Sequence, residues 1–343
     1  MRIAVLCGGL YPERDVSISS GLQIAKSLIK KGHQVLLMDL FFGYPEPYAD
    51  PWAVFDGSLE RVPNTLRSEA PDLDAVRAQR PGSDDGAIGP NVFDLCKAAD
   101  IVFLALHGED GENGKLQAAL DLRGIRYTGS GSLGSALAMH KGISRTLFQN
   151  AGLRTSPGKI VRAGTEPGEI RYPCVVKPTS GGSSVATTIL QGPEQLDEAL
   201  AQVFRLDEEA LIEDFIAGRE FSVGVLGGCA LPVIEICPKQ GFFSYENKYQ
   251  AGMTEEICPA ELSEADAHRL QQAALTAHET LRLGVYSRSD FILSDNGAIY
   301  CLESNTLPGM TPASLLPKEA KAMGLEFEDL CEKIIALSLE KYQ

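Results

Sequence analysis

The chain has 343 residues, of which 44% are apolar and 22% are charged, and its formal net charge is −15. This length suits two or three domains with a large core. The negative charge argues against nucleic acid or an anionic membrane as a partner, but it leaves room for a local basic pocket that binds a small anion. No apolar stretch approaches the ~18 residues of a transmembrane helix, and the N-terminus does not resemble a signal peptide. We therefore expect a cytoplasmic protein.

The eight cysteines favour a reducing compartment. No two of them form a C-x-x-C pair, and most lie inside apolar runs, where a free cysteine packs like a small hydrophobic residue. A catalytic thiol would need a positioned base, and the sequence identifies none.

The N-terminal residues predict a strand, a helix and a second strand. The apolar run 3–7 is typical of a buried strand, and two glycines follow it. Apolar spacing predicts a helix from about Ser17 to Lys31, with Gly32 at the position of a C-terminal cap. This βαβ start indicates an α/β sheet with helices on both faces. The loop lacks the G-x-G-x-x-G pattern, which argues against a nicotinamide cofactor.

Residues 41–90 hold seven of the 19 prolines and little periodicity, so they predict an irregular excursion from the first domain. The apolar run 101–106 predicts the next strand. This strand ends at His107, and a turn that contains Glu112 follows it. Ligands bind beyond the carboxyl ends of strands in open α/β sheets. His107 is therefore a candidate for a ligand contact or for a loop hydrogen bond.

A second unit begins with CVVKP at 174–178, and the segment TSGGSSV joins this strand to the next one. A glycine-rich loop between two strands is not a Walker A loop. Its free N–H groups and hydroxyls suit a flap over phosphates, and the alternative is a plain hairpin loop. Lys177 lies inside the apolar run, where a lysine needs a partner. With Lys141 and Lys248 it is a candidate to neutralise a phosphorylated ligand.

The segment 288–311 predicts a β-hairpin, because two apolar runs flank Asn296-Gly297. Asn-Gly favours a two-residue turn, and that turn pairs Asp295 with Ala298 and so fixes every pair farther from the turn. Asp290 then faces Glu303 on the same side as the pair formed by Arg288 and Asn305, and Leu293 faces Tyr300. A three-residue turn would slip the register by one residue and turn Glu303 away.

Two carboxylates that face each other on a strand pair repel, so they need a shared proton or a cation. Asn305 adds a third oxygen on the same face, and oxygen ligands of this kind suit Mg²⁺ together with phosphate oxygens. The sequence therefore predicts a metal site at Asp290, Glu303 and Asn305. The alternative is a structural cluster in which Arg288 neutralises the pair.

The whole series of motifs resembles the D-alanine–D-alanine ligases of the ATP-grasp superfamily. The matching segments are GGLYPERDVSISSG (8–21), HGEDGENGKLQ (107–117), YTGSG with SALAMHK (127–141), VVKP with GGSSV (175–185), LIEDFIAGREF (211–221), YENKY (245–249), RSDFIL (288–293) and ESNTLPGMTPASL (303–315). The resemblance covers nearly the whole chain. It implies a three-domain ATP-grasp fold, with an N-terminal α/β domain at 1–128, a central ATP-grasp subdomain at 129–213 and a C-terminal subdomain at 214–343.

The resemblance also implies an activity, which is ATP-dependent ligation of two D-alanines for peptidoglycan precursors through D-alanyl phosphate. It implies two Mg²⁺ or Mn²⁺ ions and a homodimer formed through the first domain. Relatives on the same scaffold use D-serine or D-lactate as the acceptor. A nucleotide-binding protein without catalysis is a remote alternative.

Site residues carry over from the resemblance by matching motif. The implied metal ligands are Asp290, Glu303 and Asn305. The implied catalytic groups are Glu13, Ser183, Tyr249, Arg288 and the N–H of Gly309, of which Arg288 and Gly309 form an oxyanion hole. The implied D-alanine contacts are His107, Ser314 and Leu315. The implied nucleotide contacts are Lys141, Lys177, Ser184, Glu213, Phe215, Ile216, Glu220 and Lys248.

The chain departs from the family pattern at a few positions. His140 stands where the family usually has Asp, Ala186 where it has Gly, and Asp214 where it has a basic residue. Tyr249 stands where D-lactate-using relatives tend to differ, which favours D-alanine over D-lactate as the acceptor.

Overall fold

The computed structural model describes residues 1–62, 71–80, 86–182, 185–238 and 254–343. The strands form three sheets, and each sheet lies in one of the three predicted ranges. The exception is the last strand of the second sheet, which ends at Asp214 and so extends just beyond the predicted range 129–213. The domain boundaries themselves stay a prediction.

The first sheet is parallel, with strand order β2-β1-β3. Its strands are β1 (Arg2–Cys7), β2 (Gln34–Asp39) and β3 (Ile101–Leu104). Helix α1 (Arg14–Lys30) joins β1 to β2 and starts three residues earlier than Ser17. The βαβ prediction is confirmed. The strands are almost fully buried because helices cover both faces of a parallel sheet.

Four short helices also belong to this part of the chain. They are α2 (Leu73–Ala78), α3 (Val92–Ala98), α4 (Glu109–Glu112) and α5 (Lys115–Leu122). Within 41–90, the described residues hold only α2 as a regular element, which agrees with the predicted irregular excursion.

The second sheet is antiparallel, with strand order β4-β7-β5-β6. Its strands are β4 (Gly158–Arg162), β5 (Cys174–Pro178), β6 (Thr188–Leu190) and β7 (Glu209–Asp214). Helix α8 (Leu196–Val203) covers it, and Ala199 and Val203 pack into its core with Val176. The glycine-rich segment connects β5 to β6, as predicted.

The third sheet has the order β11-β10-β8-β12-β13, and β9 pairs with β8. Its strands are β8 (Gly218–Leu226), β9 (Cys229–Ala230), β10 (Ile234–Pro238), β11 (Thr254–Ile257), β12 (Tyr286–Ser294) and β13 (Ile299–Asn305). Helix α9 (Glu264–Thr280) packs on it through Leu270, Ala274 and Ala277. Helices α6 (Ser132–Met139) and α7 (Lys141–Asn150) add Ala138 and Phe148 to the same core.

The C-terminal helices return to the first sheet. They are α10 (Leu315–Ala322) and α11 (Phe327–Glu340). Leu316, Leu330 and Ile334 lie in one core with the residues of β1 and with Tyr286 of the third sheet. This shared core fixes the first and third sheets relative to each other. Nowhere in the described ranges is a helix both long and apolar enough to cross a membrane.

Candidate active site

A cleft lies between the second and third sheets. Every predicted nucleotide contact among the described residues lines it, together with two of the predicted metal ligands; these residues are Lys141, Lys177, Glu213, Phe215, Ile216, Glu220, Asp290 and Glu303. Phe215 is partly exposed there and offers an aromatic face. The cleft therefore combines apolar walls, two lysines and two facing carboxylates, which suits a nucleotide with its phosphates.

The hairpin of β12 and β13 brings the carboxylates together by a different route from the predicted one. Ser294 and Ala298 pair across a three-residue loop, and Leu293 faces Ile299. The predicted two-residue turn and the predicted pairing of Leu293 with Tyr300 are therefore wrong, because Asn-Gly occupies the last two positions of the longer loop.

A β-bulge in β13 restores the predicted pairing at Asp290 and Glu303. The pairing shifts between Phe291 and Asp290, so that Leu302 is an extra residue on β13. Beyond it, Asp290 faces Glu303 and Arg288 faces Asn305, as predicted. Bulges re-aim side chains, and here both Leu302 and Glu303 line the cleft although they are consecutive.

Asp290 is the most constrained group of the cleft. It is 5% exposed and accepts hydrogen bonds from Arg288 Nε at 2.9 Å, Arg288 NH2 at 2.7 Å and Ser222 Oγ at 2.6 Å. Asn305 Nδ2 donates to it at 3.3 Å. Burial lowers the pKa of Arg288, but Asp290, and to a smaller extent Glu303 and Glu319, raise it, so that the net pKa is raised. The structural alternative has Arg288 neutralise both Asp290 and Glu303, and the structure shows its ion pair with Asp290.

The donor set fits a hard cation. Two carboxylates and an amide share one face at the edge of the cleft, and Mg²⁺ prefers such oxygen ligands together with phosphate. Within the described ranges there is no group of three or more His, Cys, Asp or Glu side chains that could hold a metal ion. Asp290, Glu303 and Asn305 stay the predicted ligands.

The lysines have carboxylate partners. Lys177 forms an ion pair with Glu213 on the adjacent strand β7, which satisfies the expectation that a lysine in an apolar run needs a partner. Burial lowers the pKa of Lys177, but Glu213 raises it above its usual value. Lys141 Nζ donates to the Gly181 carbonyl at 2.5 Å and lies 3.7 Å from Glu303 Oε2. Both lysines therefore line the cleft.

The N-terminal motif brings Glu13 to the same region. Arg14 pairs with Asp39 at the end of β2, and its NH1 donates to the Gly9 carbonyl at 2.6 Å. This buried contact fixes the start of α1, where Glu13 is 7% exposed. A Cβ built on Gly182 of the flap would lie 3.0 Å from Glu13 Oε2. The first domain and the flap thus meet at Glu13.

His107 is held from two sides. Its Nε2 lies 3.0 Å from Ser20 Oγ, and its Nδ1 lies 2.9 Å from the Leu307 carbonyl. Burial lowers the pKa of His107. The neutral ring then donates from Nδ1 to Leu307 and accepts from Ser20 at Nε2. The loop hydrogen bond that was one of the two predicted alternatives is present.

Glu112 joins the first domain to the loop after β13. Its Oε1 accepts from the N–H groups of Thr306 at 3.2 Å and Leu307 at 2.9 Å, and its Oε2 accepts from the Gly108 N–H at 3.0 Å. Burial and the nearby Glu13 raise the pKa of Glu112 to about 7. The sequence placed Glu112 near a ligand site but did not include it among the functional residues, because its partners lie in a distant segment.

We expect Glu112→Gln to lower the free energy of unfolding by about 1–3 kcal/mol. The substitution replaces one carboxylate oxygen, which accepts a backbone N–H, by an NH₂ group, which can only donate. The folded-state pKa of Glu112 is raised, so its stabilising effect is full below pH 4.5 and is lost as the pH rises through about 7. Urea unfolding should therefore give a larger loss at pH 5 than at pH 8. A loss that does not vary with pH would contradict the assigned pKa. Glu326→Gln, at an exposed glutamate, is the control.

The predicted acceptor residues lie at the start of α10. The Thr311 N–H donates to Ser314 Oγ at 3.1 Å, and a Cβ on Gly309 would lie 2.9 Å from the same oxygen. Ser314 and Gly309 are therefore close together, as a shared pocket requires. Leu315 packs with Ile234 and Ile236 in a small core, and its role at the acceptor site stays a prediction.

Four predicted site residues lie outside the described ranges. They are Ser183, Ser184, Lys248 and Tyr249. Their roles stay predictions.

Comparison with known proteins decides the family. The family model described as D-ala D-ala ligase N-terminus matches residues 2–130, and the model described as D-ala D-ala ligase C-terminus matches residues 146–336. The chain belongs to the D-alanine–D-alanine ligase family.

Relatives and solved structures agree with this. The D-alanine–D-alanine ligase of Pediococcus pentosaceus is 43% identical over 98% of this chain and 97% of its own. The ligase of Lacticaseibacillus casei is 42% identical over 100% of this chain and 97% of its own. The crystal structure of the Bacillus anthracis ligase complexed with ATP has a TM-score of 0.73 and 30% identity, covering 99% and 98% of the two chains. The VanG D-Ala:D-Ser ligase of Enterococcus faecalis has a TM-score of 0.77 and 26% identity, covering 98% and 99%. The ATP-grasp fold predicted from the motifs is confirmed.

Two of the departures from the family pattern, His140 and Asp214, make local contacts, and the third, Ala186, has an unusual backbone conformation. His140 caps α7, because its Nδ1 accepts the Ile143 N–H at 3.4 Å, a role that Asp also fills. Asp214 pairs with Arg171 at 2.7 Å. Ala186 has a φ of +52°, which glycine adopts without strain and alanine does not.

Proposed function

We propose that this chain joins two D-alanine molecules at the expense of ATP and releases ADP, phosphate and D-alanyl-D-alanine for peptidoglycan precursors. The observation that carries the proposal is the bulged hairpin, which sets Asp290 against Glu303 inside a cleft lined by the predicted nucleotide contacts. The family membership of the whole chain supports it. We further propose a cytoplasmic homodimer, which sedimentation analysis can test.

The first half of the reaction activates a carboxylate. A carboxylate oxygen of the first D-alanine attacks the γ-phosphorus of ATP, ADP leaves and D-alanyl phosphate forms. Mg²⁺ or Mn²⁺ at Asp290, Glu303 and Asn305 would neutralise phosphate charge. The ammonium groups of Lys141 and Lys177, both in the cleft, stabilise the same charge. Glu13 holds the ammonium of this D-alanine, and the flap at Gly182, which meets Glu13, helps to exclude water.

The second half forms the peptide bond. The neutral amine of the second D-alanine attacks the acyl carbon, phosphate leaves as the tetrahedral intermediate collapses, and the nitrogen gives up one proton, which the departing phosphate takes. Arg288 and the N–H of Gly309 donate to the oxyanion. The Ser314 hydroxyl, beside Gly309, orients the acceptor. In this proposal, Ser183 and Tyr249 also help to close the active site over the substrates.

An acceptor panel tests the function. Purified enzyme is incubated with ATP and Mg²⁺, and ADP and dipeptide are measured with D-alanine alone, with D-alanine plus D-serine and with D-alanine plus D-lactate. We expect equal amounts of ADP and D-alanyl-D-alanine from D-alanine alone. Release of ADP only when D-serine is added would favour the D-alanine–D-serine ligase, which the structural likeness to the VanG enzyme makes the second candidate. No release under any condition would favour a non-catalytic nucleotide-binding protein.

A further inference from the structure

The loop after β13 is anchored on both sides of Gly309, one of the two predicted oxyanion donors. On one side, His107 Nδ1 lies 2.9 Å from the Leu307 carbonyl. On the other side, the Met310 N–H donates to Ser20 Oγ at 3.4 Å. Ser20 lies on α1 and His107 lies shortly after β3. Both anchors therefore come from the part of the chain around the first sheet, whereas the loop continues from the third.

The Ser20 hydroxyl is buried and uses both of its hydrogen-bonding roles. Ser20 is 0% exposed, and its Oγ lies 3.0 Å from His107 Nε2. The Leu307 carbonyl can only accept, so His107 Nδ1 carries the hydrogen, and burial favours the neutral ring by lowering its pKa. Nε2 of the neutral ring then accepts from the Ser20 hydroxyl, whose oxygen accepts the Met310 N–H. One hydroxyl therefore connects the ring and the loop.

His107 is itself directed at the loop. Its two ring nitrogens have Ser20 and the Leu307 carbonyl as partners, and the residue is 6% exposed. A neutral imidazole has a single N–H, which the Leu307 carbonyl accepts here. The ring thus offers its one N–H to the loop and has none left for a substrate carboxylate.

The loop reaches the acceptor pocket at Gly309. Within 306–310 the other four residues are buried, and Gly309 alone is partly exposed. A Cβ on Gly309 would lie 2.9 Å from Oγ of Ser314, the predicted contact of the second D-alanine. Because peptide groups are planar, the hydrogen bonds at Leu307 and Met310 limit the directions in which the intervening N–H can point. The two anchors therefore govern the donor that the second half of the reaction uses.

We propose that Ser20 is a positioning residue for peptide-bond formation, which holds the loop after β13, directly and through His107, so that the Gly309 N–H meets the oxyanion. The inference rests on the proposed function. Ser20 does not line the nucleotide cleft, and it acts only through the loop. Its loss should therefore slow the formation of the peptide bond more than the formation of D-alanyl phosphate.

The test follows one turnover of Ser20→Ala, with enzyme in excess over ATP and with saturating D-alanine and Mg²⁺. Acid quenching at successive times gives the amounts of ADP and of D-alanyl-D-alanine. ADP reports the first half of the reaction, and the delay between ADP and dipeptide reports the second. We expect the rate constant for ADP to stay within about twofold of the wild-type value and the delay to lengthen at least about tenfold, because a displaced donor stabilises the oxyanion less.

Ser17→Ala is the matched control. Ser17 is also 0% exposed on α1, and its Oγ accepts the Gly8 N–H and donates to the Ala105 carbonyl, both at 2.8 Å. The substitution removes the same two kinds of hydrogen bond from the same helix, but neither of them reaches the loop after β13. The Tm should fall about as much as in Ser20→Ala, while the delay should stay within about twofold of the wild-type value.

Ser20→Cys is a second variant of similar shape, whose thiol is only a weak donor and acceptor. Its delay should lie between those of the wild type and of Ser20→Ala. An unchanged delay in a folded Ser20 variant, an equal lengthening in Ser17→Ala, or a parallel slowing of ADP and dipeptide would overturn the proposal. Failure of the wild-type enzyme to make dipeptide would overturn the proposed function instead.

Discussion

Asp290→Asn is expected to lower kcat by more than about 1000-fold, because a lost metal contact removes several kcal/mol of charge stabilisation from the phosphoryl transfer. Asparagine has nearly the same shape and still accepts hydrogen bonds through its one oxygen, so the contacts from Ser222 and Arg288 can persist in part. The lost property is the negative charge opposite Glu303. Release of ADP in the presence of saturating D-alanine and Mg²⁺ measures the effect.

Asp295→Asn is the matched control, because Asp295 is exposed in the loop of the same hairpin. It should retain near-wild-type turnover. Circular dichroism and the Tm should show that Asp290→Asn is folded, since it removes repulsion between two carboxylates. Undiminished turnover in a folded Asp290→Asn enzyme would contradict the assignment of Asp290 to the metal.

Arg288→Ala is expected to lower kcat by about 100- to 1000-fold, the usual effect of removing one oxyanion donor. It also leaves Asp290, Glu303 and Glu319 without the positive charge that they share, so we expect a lower Tm without Mg²⁺. Saturating Mg²⁺ and ADP should recover part of that loss, because the cations then compensate the carboxylates.

Arg288→Lys separates the charge from the geometry. Lysine keeps the positive charge but not the two parallel hydrogen bonds that Arg288 makes with Asp290. We expect a Tm close to that of the wild type and a kcat that is still strongly reduced. Equal kcat values for Arg288→Lys and the wild type would argue that Arg288 only neutralises the cluster.

The hairpin illustrates how much the sequence could predict. The alternation of side chains and the Asn-Gly pair correctly placed Asp290 opposite Glu303. The loop, however, is one residue longer than predicted, and the bulge at Leu302 compensates for it. Bulges depend on packing across the sheet, here on a cleft that both Leu302 and Glu303 line. The alternation of side chains along one strand cannot reveal such a bulge. The longer loop and the bulge each shift the register by one residue, and because the two shifts cancel, the predicted pairing of Asp290 with Glu303 is correct.

Local elements were easier to predict than long-range contacts. The βαβ start follows from apolar spacing and is confirmed, and the structure adds the C-terminal helix α11 at Phe327–Glu340. The packing of that helix on the first sheet, the bonds of Glu112 to the loop after β13 and the approach of Glu319 to Gly224 join distant segments. Their partners are fixed by the tertiary fold, and no local signal in the chain identifies them.

The central claim is that the face formed by Asp290, Glu303 and Asn305 holds the cations of the nucleotide. Titration with Mn²⁺ in the presence of ADP, followed by electron paramagnetic resonance, tests it most directly. We predict two bound Mn²⁺ per wild-type chain, and fewer in a folded Asp290→Asn, Glu303→Gln double variant that still binds ADP. Two ions bound with unchanged affinity in that variant would contradict the claim.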